Sequence, residues 1–326
     1  MTIKDMQVIA IEEHYWDKVV TDNWDAKAAG RRGAVQDRLY DYSTLRIKEM
    51  DEAGVDIQVL SHGAPSTQRL DADIAEKVAR DANDNLRDII AMHPDRFGGF
   101  AALPTADPKA AADEMERAVD KLGLCGAMIH GLSNGEFVDL PKYWPIYERA
   151  QALNVPVYLH PGMPHPAVQE VYYKDYAEKY PNFVSSGWGY TVETATQGIR
   201  MVLSGVFDKY PDLKIILGHL GESIPFSLWR IDQSMSRPEN EGGLRFRETF
   251  SEHFWITTSG NFSDPAMLCC IQEMGVDRII FSIDYPFVDN PPGTDWMERL
   301  SLSRDDKQKI LNGNVRNILK VERGKV

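Results

Sequence analysis

Eight short apolar runs, separated by segments with helical spacing, constrain the fold of this 326-residue chain more than any other feature. Each run has the length of a strand, and most are rich in β-branched residues. Their hydrophobicity is continuous rather than alternating, which is typical of parallel strands covered on both faces. The predicted strands are residues 6–11, 56–61, 97–103, 125–129, 155–159, 213–218, 254–259 and 278–282.

The intervening segments have the apolar spacing of amphipathic helices. Residues 71–92 and 108–122 repeat apolar side chains at intervals of three and four, and Pro94 and Gly123 mark their ends. Similar helices are predicted at 141–153, 192–207, 265–274 and 304–319. Eight strands alternating with helices predict an α/β fold, a (β/α)8 TIM-type barrel forming one domain over residues 1–326. A doubly wound dinucleotide-binding sheet is less favoured, because no glycine-rich turn follows the first strand.

Two long loops are expected at the C-terminal face of the predicted barrel, where such folds keep their functional groups. Residues 15–42 carry Trp16, Trp24 and a Gly-Arg-Arg-Gly turn. Residues 161–190 carry four prolines and seven aromatic residues. These aromatics are typical either of an oligomer interface or of a pocket for a flat ring, and the sequence does not choose between the two.

Composition excludes several partners and compartments. The net charge of −13 disfavours binding to nucleic acid or to an anionic membrane surface. An anionic small substrate would therefore need a local positive charge, such as a bound metal ion. Three cysteines, two of them adjacent, do not form a disulfide framework, and no signal peptide or membrane span is apparent. We expect a cytoplasmic protein.

Polar residues stand at the ends of four of the predicted strands. Glu12 and His14 are two residues apart, so an extended strand places them on the same side. Histidine and carboxylate side chains converging from four strands indicate a divalent transition-metal site without thiolate ligands. A single histidine at a strand end is more often structural, but agreement between four strands favours a shared metal. The residues are Glu12, His14, His160, His219, Glu222 and Asp284.

The remaining histidines fall into two groups. His130 ends the fourth predicted strand and is a candidate for substrate contact. His62, His93, His165 and His253 are interpreted as structural residues.

Six sequence motifs resemble those of a known family. They are similar to the amidohydrolase-2 branch of the amidohydrolase superfamily, and within it to the non-oxidative hydroxybenzoate decarboxylases, above all those acting on γ-resorcylate (2,6-dihydroxybenzoate). The motifs are Glu12-Glu13-His14, Tyr158-Leu159-His160-Pro161, Gly218-His219-Leu220-Gly221-Glu222, Trp229-Arg230-Ile231-Asp232, Thr257-Thr258-Ser259-Gly260-Asn261-Phe262 and Ser282-Ile283-Asp284-Tyr285-Pro286-Phe287.

The resemblance implies a role for each matching residue. It implies one Zn²⁺ or Mn²⁺ ion and no organic cofactor, with the ligands Glu12, His14, His160 and Asp284. It also implies that Asp284 protonates the substrate, that His219 and Glu222 form an acid–base pair, and that Arg230 and Phe287 contact the substrate. The candidate contact of His130 rests on its strand-end position and not on the resemblance. Family members of this kind are dimers or tetramers, so a homo-oligomer is expected.

Two departures from the superfamily pattern bear on function. The chain has Glu12-x-His14, as the decarboxylases do, where the hydrolases have His-x-His. The fourth strand ends in His130, where a two-metal hydrolase would have a lysine and a resorcylate decarboxylase an asparagine. The predicted enzyme is therefore a carboxy-lyase acting on an ortho-hydroxybenzoate, a small aromatic carboxylate. Alternatives are a hydrolase or hydratase using a metal-bound water on a lactone or dicarboxylate, and a metal- or ligand-binding barrel without turnover.

Overall fold

The strands form two parallel sheets whose order follows the chain. The computed structural model describes residue 3, residues 5–24 and residues 33–319. One sheet has the order β1-β2-β3 and the other β4-β5-β6-β7-β8-β9. The strands are β1 Ile9–Tyr15, β2 Ile57–His62, β3 Phe97–Gly99, β4 Ala101–Ala102, β5 Ala127–His130, β6 Val157–His160, β7 Ile215–Leu217, β8 Phe254–Thr257 and β9 Ile279–Ile280.

Phe100 joins the two sheets, because β3 and β4 are consecutive parts of one extended segment. The N–H of Phe100 donates to Leu60 of the first sheet, and the N–H of Ala101 donates to Gly126 beside the second. At the other edges, the N–H of His14 donates to the carbonyl of Tyr285 at 2.6 Å. The predicted α/β class with parallel strands is confirmed, and each of the eight apolar runs overlaps at least one strand.

Both faces of the strands are buried, as their continuous hydrophobicity predicts. Leu60, Leu159 and Leu217 belong to a large cluster that includes the apolar faces of the surrounding helices. Val59 and Ile216 belong to a second cluster on the opposite face, together with Phe100 and Tyr158. The first strand extends beyond its predicted end at residue 11, so Glu12 and His14 lie within β1.

Helices connect the strands, and their ends follow ordinary capping rules. In α5, the Asp107 side chain accepts hydrogen bonds from the first turn, Pro108 is the first residue, and Gly123 ends the helix at φ +75°. The helices are α1 Lys18–Thr21, α2 Ala34–Tyr40, α3 Thr44–Ala53, α4 Ala72–Met92, α5 Pro108–Leu122, α6 Trp144–Leu153, α7 Pro166–Val168, α8 Lys174–Ala177, α9 Gly189–Leu203, α10 Val206–Lys209, α11 Ile224–Met235, α12 Phe246–His253, α13 Asp264–Met274, α14 Asn290–Arg299, α15 Arg304–Gln308 and α16 Asn314–Leu319.

Several predicted elements differ in detail. The predicted helix 192–207 is two helices, because Gly205 adopts φ +80° between α9 and α10. The predicted helix 304–319 is interrupted by a π-helical turn, Lys309–Gly313. The predicted loop 161–190 contains short helices, and the loop 15–42 contains α1 and α2. Residues 30–32 of the predicted Gly-Arg-Arg-Gly turn lie outside the described residues. No helix of the described part is long and apolar enough to cross a membrane.

Candidate metal centre

Four side chains from three strands converge at one edge of the sheets. Glu12 and His14 lie in β1, His160 ends β6, and Asp284 follows β9 by four residues. Because parallel strands end at the same edge, their terminal side chains share one space. One donor atom from each of the four lies within 4.8 Å of the other three. The structure therefore brings together all four residues that the sequence proposed as ligands.

The donor atoms of the cluster face one another in pairs. His14 Nε2 lies 3.3 Å from Asp284 Oδ1, and His160 Nε2 lies 3.3 Å from Glu12 Oε1. Glu12 and His14 are fully buried, His160 is nearly so, and Asp284 is partly exposed. Imidazole nitrogens and carboxylate oxygens in this number are the ligands of a single Zn²⁺ or Mn²⁺ ion.

Three of these atoms are buried without a hydrogen-bond partner among the described residues. They are Glu12 Oε1, His14 Nε2 and Asp284 Oδ1. Leaving a buried polar atom unpaired costs about 1–3 kcal/mol, so three such atoms in one cluster call for a common partner. A divalent cation bound between them would satisfy all three, and the residues present therefore fit a metal ion.

In three of the four proposed ligands, the polar side-chain atom that does not face the cluster is held by hydrogen bonds. Ser61 Oγ lies 3.0 Å from His14 Nδ1, and His160 Nδ1 lies 2.7 Å from the carbonyl of Pro161. Glu12 Oε2 accepts hydrogen bonds from the hydroxyls of Tyr158 and Thr257. Such contacts orient a ligand and leave its second atom for the metal.

Gly218 provides the room that the Glu12 carboxylate occupies. A Cβ atom at position 218 would lie 2.7 Å from Glu12 Oε2, closer than real side chains approach. A glycine directly after β7 therefore permits Glu12 to lie in the cluster.

Burial controls protonation in the cluster. It lowers the pKa of His160 well below 6.5, and the neighbouring His130 and His14 lower it further. His160 is therefore a neutral imidazole, the form that binds metals. Burial raises the pKa of Glu12, although His219 opposes this effect. A cation would favour the carboxylate form of Glu12.

His219 and Glu222 form a hydrogen-bonded pair beside the cluster. His219 Nδ1 lies 2.7 Å from Glu222 Oε1, and His219 Nε2 lies 3.8 Å from both Glu12 Oε1 and Asp284 Oδ2. Burial lowers the pKa of His219, but the Glu222 and Glu12 carboxylates outweigh it and raise the pKa well above 6.5. His219 can therefore hold a proton at the atom that faces the cluster.

The turn that carries this pair has an unusual backbone. All five residues from His219 to Ser223 have positive φ values, between +50° and +74°, and only Gly221 among them is a glycine. Asp284 also has a positive φ, +76°. Left-handed conformations of residues with a Cβ persist where the surrounding structure enforces them, and they concentrate at functional sites.

The three predicted substrate contacts lie in different surroundings. Phe287 lies with its ring centroid 5.5 Å from that of His14, at the edge of the cluster. His130 is buried behind His160, and their Nδ1 atoms are 2.9 Å apart. Arg230 lies exposed on α11.

Sequence reasoning missed the residues that support the ligands. Tyr158 could have been found, because it lies two residues before His160 on the same strand and thus on the same face. Ser61 and Thr257 gave no comparable signal, since a hydroxyl residue at a strand end is common in any fold.

Comparison with known proteins identifies the family of this chain. The sequence profile of the amidohydrolase family matches residues 9–321. The chain belongs to this amidohydrolase family. It is 39% identical over 327 residues to a γ-resorcylate decarboxylase of Polaromonas sp. strain JS666, a match that covers 97% of this chain and 99% of the relative.

Solved structures of amidohydrolase-family decarboxylases share its fold. A dihydroxybenzoic acid decarboxylase from Polaromonas sp. JS666, with manganese and the inhibitor 2-nitroresorcinol, superimposes with a TM-score of 0.88 at 38% identity, over 97% of each chain. A 5-carboxyvanillate decarboxylase from Sphingomonas paucimobilis gives 0.90 at 33% identity, over 98% of this chain and all of that one. The resemblance inferred from the motifs is confirmed, and these relatives are carboxy-lyases, the predicted enzyme class.

Proposed function

We propose that this protein is a non-oxidative, metal-dependent decarboxylase of an ortho-hydroxybenzoate, with γ-resorcylate as the first candidate substrate. The observation that carries the proposal is the buried cluster of Glu12, His14, His160 and Asp284, with three unpaired donor atoms. The relatives support the substrate class. γ-Resorcylate and 5-carboxyvanillate both have a phenolic oxygen next to the carboxyl group that is lost.

We further propose that the two sheets close into a (β/α)8 barrel that forms a single domain. The proposal is supported by the segment that joins β3 to β4 and by the hydrogen bond from His14 to Tyr285 between β1 and the segment after β9. The solved relatives, which match over nearly the whole chain, support it as well.

The metal would be held by Glu12, His14, His160 and Asp284, and we propose either Zn²⁺ or Mn²⁺. When bound, such an ion serves as a Lewis acid and template for the carboxylate and ortho-phenolate oxygens. The manganese in the Polaromonas structure supports Mn²⁺. We propose no organic cofactor, because the protonated ring itself accepts the electron pair of the broken bond and the reaction involves no net oxidation.

Asp284 is the proposed proton donor to the ring. Direct loss of CO₂ would leave a strongly basic aryl anion, so protonation of the carboxyl-bearing carbon must come first. The proton moves from Asp284 to that carbon, the bond to the carboxyl carbon breaks, its electron pair restores the aromatic ring, and CO₂ leaves. His219 Nε2 lies 3.8 Å from Asp284 Oδ2 and, oriented by Glu222, exchanges the phenolic proton and restores that of Asp284.

Substrate contacts are proposed for Phe287, His130 and Arg230. Phe287 is supported by its position beside His14, where its ring can pack on an aromatic substrate. Arg230 lies on α11, which begins two residues after Glu222, and would pair with a substrate oxygen anion.

We propose a cytoplasmic homo-oligomer, a dimer or tetramer. The cysteines Cys125, Cys269 and Cys270 are all unpaired, as expected in a reducing compartment. Several large aromatic residues, Phe226 and Trp229 among them, are exposed on one chain, which supports a subunit interface.

Turnover of defined benzoates tests the proposed reaction. Protein loaded with Mn²⁺ or Zn²⁺ should release CO₂ from 2,6-dihydroxybenzoate, 2,3-dihydroxybenzoate or salicylate, and place deuterium at the carboxyl-bearing carbon in D₂O. The control substrate is 4-hydroxybenzoate, whose phenolate is too far from the carboxyl group to bind the same ion. Turnover of that isomer alone would refute the model, and lactone hydrolysis without decarboxylation would indicate a hydrolase.

Metal content tests the proposed ligands. Purified protein should bind about one equivalent of divalent metal, and His160→Ala should lower this amount because it removes one of four donors. An unchanged metal content in that variant would contradict the assignment.

A further inference from the structure

Glu13 lies between two proposed ligands on β1, and its side chain makes a different set of contacts. It is fully buried. Its Oε1 atom accepts a hydrogen bond from the N–H of Ile283 at 2.9 Å, and its Oε2 atom accepts one from the N–H of Tyr285 at 3.1 Å. One carboxylate therefore bridges the two residues that flank Asp284.

The backbone around Asp284 depends on side chains for its hydrogen bonds. Strand β9 ends at Ile280, so the residues that follow have left the regular ladder. Thr258 Oγ1 accepts from the N–H of Ser282 and donates to its carbonyl, and Glu13 accepts from the N–H groups of Ile283 and Tyr285. Buried N–H groups require such partners.

Asp284 itself adopts a conformation that its type of residue disfavours. Its φ is +76°, in the left-handed region, where a Cβ atom is crowded. Such a conformation persists only when neighbouring contacts hold it. The two hydrogen bonds to Glu13 lie on either side of this residue and oppose its relaxation.

We propose that Glu13 is a positioning residue that holds Asp284 in its metal-binding and proton-donating orientation. This inference rests on the proposed role of Asp284. Glu13 faces away from the cluster, since it alternates with Glu12 and His14 along β1, so it acts through the backbone and touches neither metal nor substrate.

A carboxylate suits this position because both of its oxygens accept hydrogen bonds. A glutamine has the same shape but only one acceptor, and its NH₂ group would face a second N–H donor. Glu13→Gln should therefore release one side of the turn while preserving the volume of the buried side chain. Glu13→Asp keeps two acceptors on a shorter side chain and should recover part of the lost function.

Glu114→Gln is the matched control. Glu114 is also a buried carboxylate, and it accepts hydrogen bonds from Asn83 and Arg117 on the helices, away from the cluster. It separates the general cost of losing a buried carboxylate from a specific effect on Asp284.

The experiment compares Mn²⁺ affinity, kcat, KM and thermal melting of the intact protein and the three variants. We expect Glu13→Gln to raise the Kd for Mn²⁺ at least about tenfold, the scale of losing an orienting contact behind a ligand. We also expect kcat to fall at least about tenfold with a smaller change in KM. Glu114→Gln should lower the melting temperature while leaving the Kd and kcat within about twofold.

Each outcome separates this inference from the proposed function. If Glu13→Gln folds and keeps the wild-type Mn²⁺ affinity and kcat, the positioning role alone is refuted. The same holds if it only lowers the melting temperature, as Glu114→Gln does. If Glu13→Gln does not fold, the same comparison is made on Glu13→Asp, for which we expect a smaller loss of both quantities. Wild-type protein that binds neither Mn²⁺ nor Zn²⁺ would refute the metal centre and this inference together.

Discussion

At the scale of single residues, the pair of His219 and Glu222 defines the chemistry beside the metal cluster. The Glu222 carboxylate binds His219 Nδ1 and leaves Nε2 directed toward Glu12 and Asp284. The neighbouring carboxylates raise the pKa of His219, and because a protonated nitrogen cannot bind a metal, this favours proton transfer over metal coordination.

His219→Asn should therefore separate catalysis from metal binding. We expect kcat to fall about a hundredfold or more, the usual effect of losing a general acid–base group, because asparagine cannot carry the proton. Metal content, measured on the same preparation, should stay near one equivalent. Loss of the metal would instead make His219 a ligand.

His62 connects protonation to stability. Burial lowers its pKa from 6.5 to about 4, while its Nδ1 atom bonds the carbonyl of Gly63 and its Nε2 atom accepts from the N–H of Asp17. Above pH 6.5 the residue is neutral in both folded and unfolded chains. Between pH 6.5 and 4 the unfolded chain takes up the proton first, so acid lowers the free energy of unfolding.

Replacing His62 should reduce this acid sensitivity. When the pH falls from 6.5 to 4, the free energy of unfolding should decrease by about 3 kcal/mol less in His62→Gln than in the wild type, as measured by urea unfolding. His93→Gln, at the end of α4, is the control and should keep the wild-type slope. Equal slopes for all three proteins would show that His62 does not govern the effect.

At the scale of elements, the left-handed turn at His219–Ser223 is the most constrained connection of the site. Ser223 is exposed, has φ +65°, and makes no capping hydrogen bond to α11. A left-handed residue with a Cβ costs about 1–2 kcal/mol. A glycine avoids this cost, but about 0.4–1 kcal/mol of the gain is lost because the unfolded chain becomes more flexible.

Ser223→Gly should thus stabilise the protein. We expect a gain of about 0.5 kcal/mol in the free energy of unfolding, measured by denaturant titration. Ser223→Ala keeps the Cβ atom and serves as the control, with no gain expected. A loss of stability in the glycine variant would mean that the turn is not strained at this residue.

The elements also show what the sequence could predict. The strands were found because burial on both faces leaves an unbroken apolar run. Helix α11 was missed, since Phe226 and Trp229 are exposed on the isolated chain and blur its amphipathic pattern. The interruption at Lys309–Gly313 ends in an Asn312-Gly313 pair, a local signal that the predicted continuous helix 304–319 did not use.

The positions of the four proposed metal ligands could also be predicted from the sequence. Glu12, His14, His160 and Asp284 stand at strand ends, where the fold itself brings them together. Glu13 was not assigned a role, because its partners are backbone N–H groups some 270 residues away that no spacing rule identifies.

At the scale of the whole molecule, several large apolar side chains are exposed on the surface of the single chain. Phe226 is 84% exposed and Trp229 is 61% exposed on α11, and Val171, Tyr172 and Tyr176 are exposed on the segment after β6. Soluble monomers rarely expose this much large apolar surface, and burying each such side chain yields about 1.5–3 kcal/mol.

We therefore expect this surface to be buried between subunits. Light scattering at micromolar concentration should give the mass of a dimer or tetramer, and Phe226→Asp combined with Val171→Asp should shift the protein toward the monomer, because a buried unpaired carboxylate opposes association. Met92→Asp is the control: Met92 is also exposed, but it stands at the end of α4, and its replacement should leave the mass unchanged. A monomeric wild-type protein would contradict the predicted assembly, and an unchanged mass in the double variant would place the interface on another face.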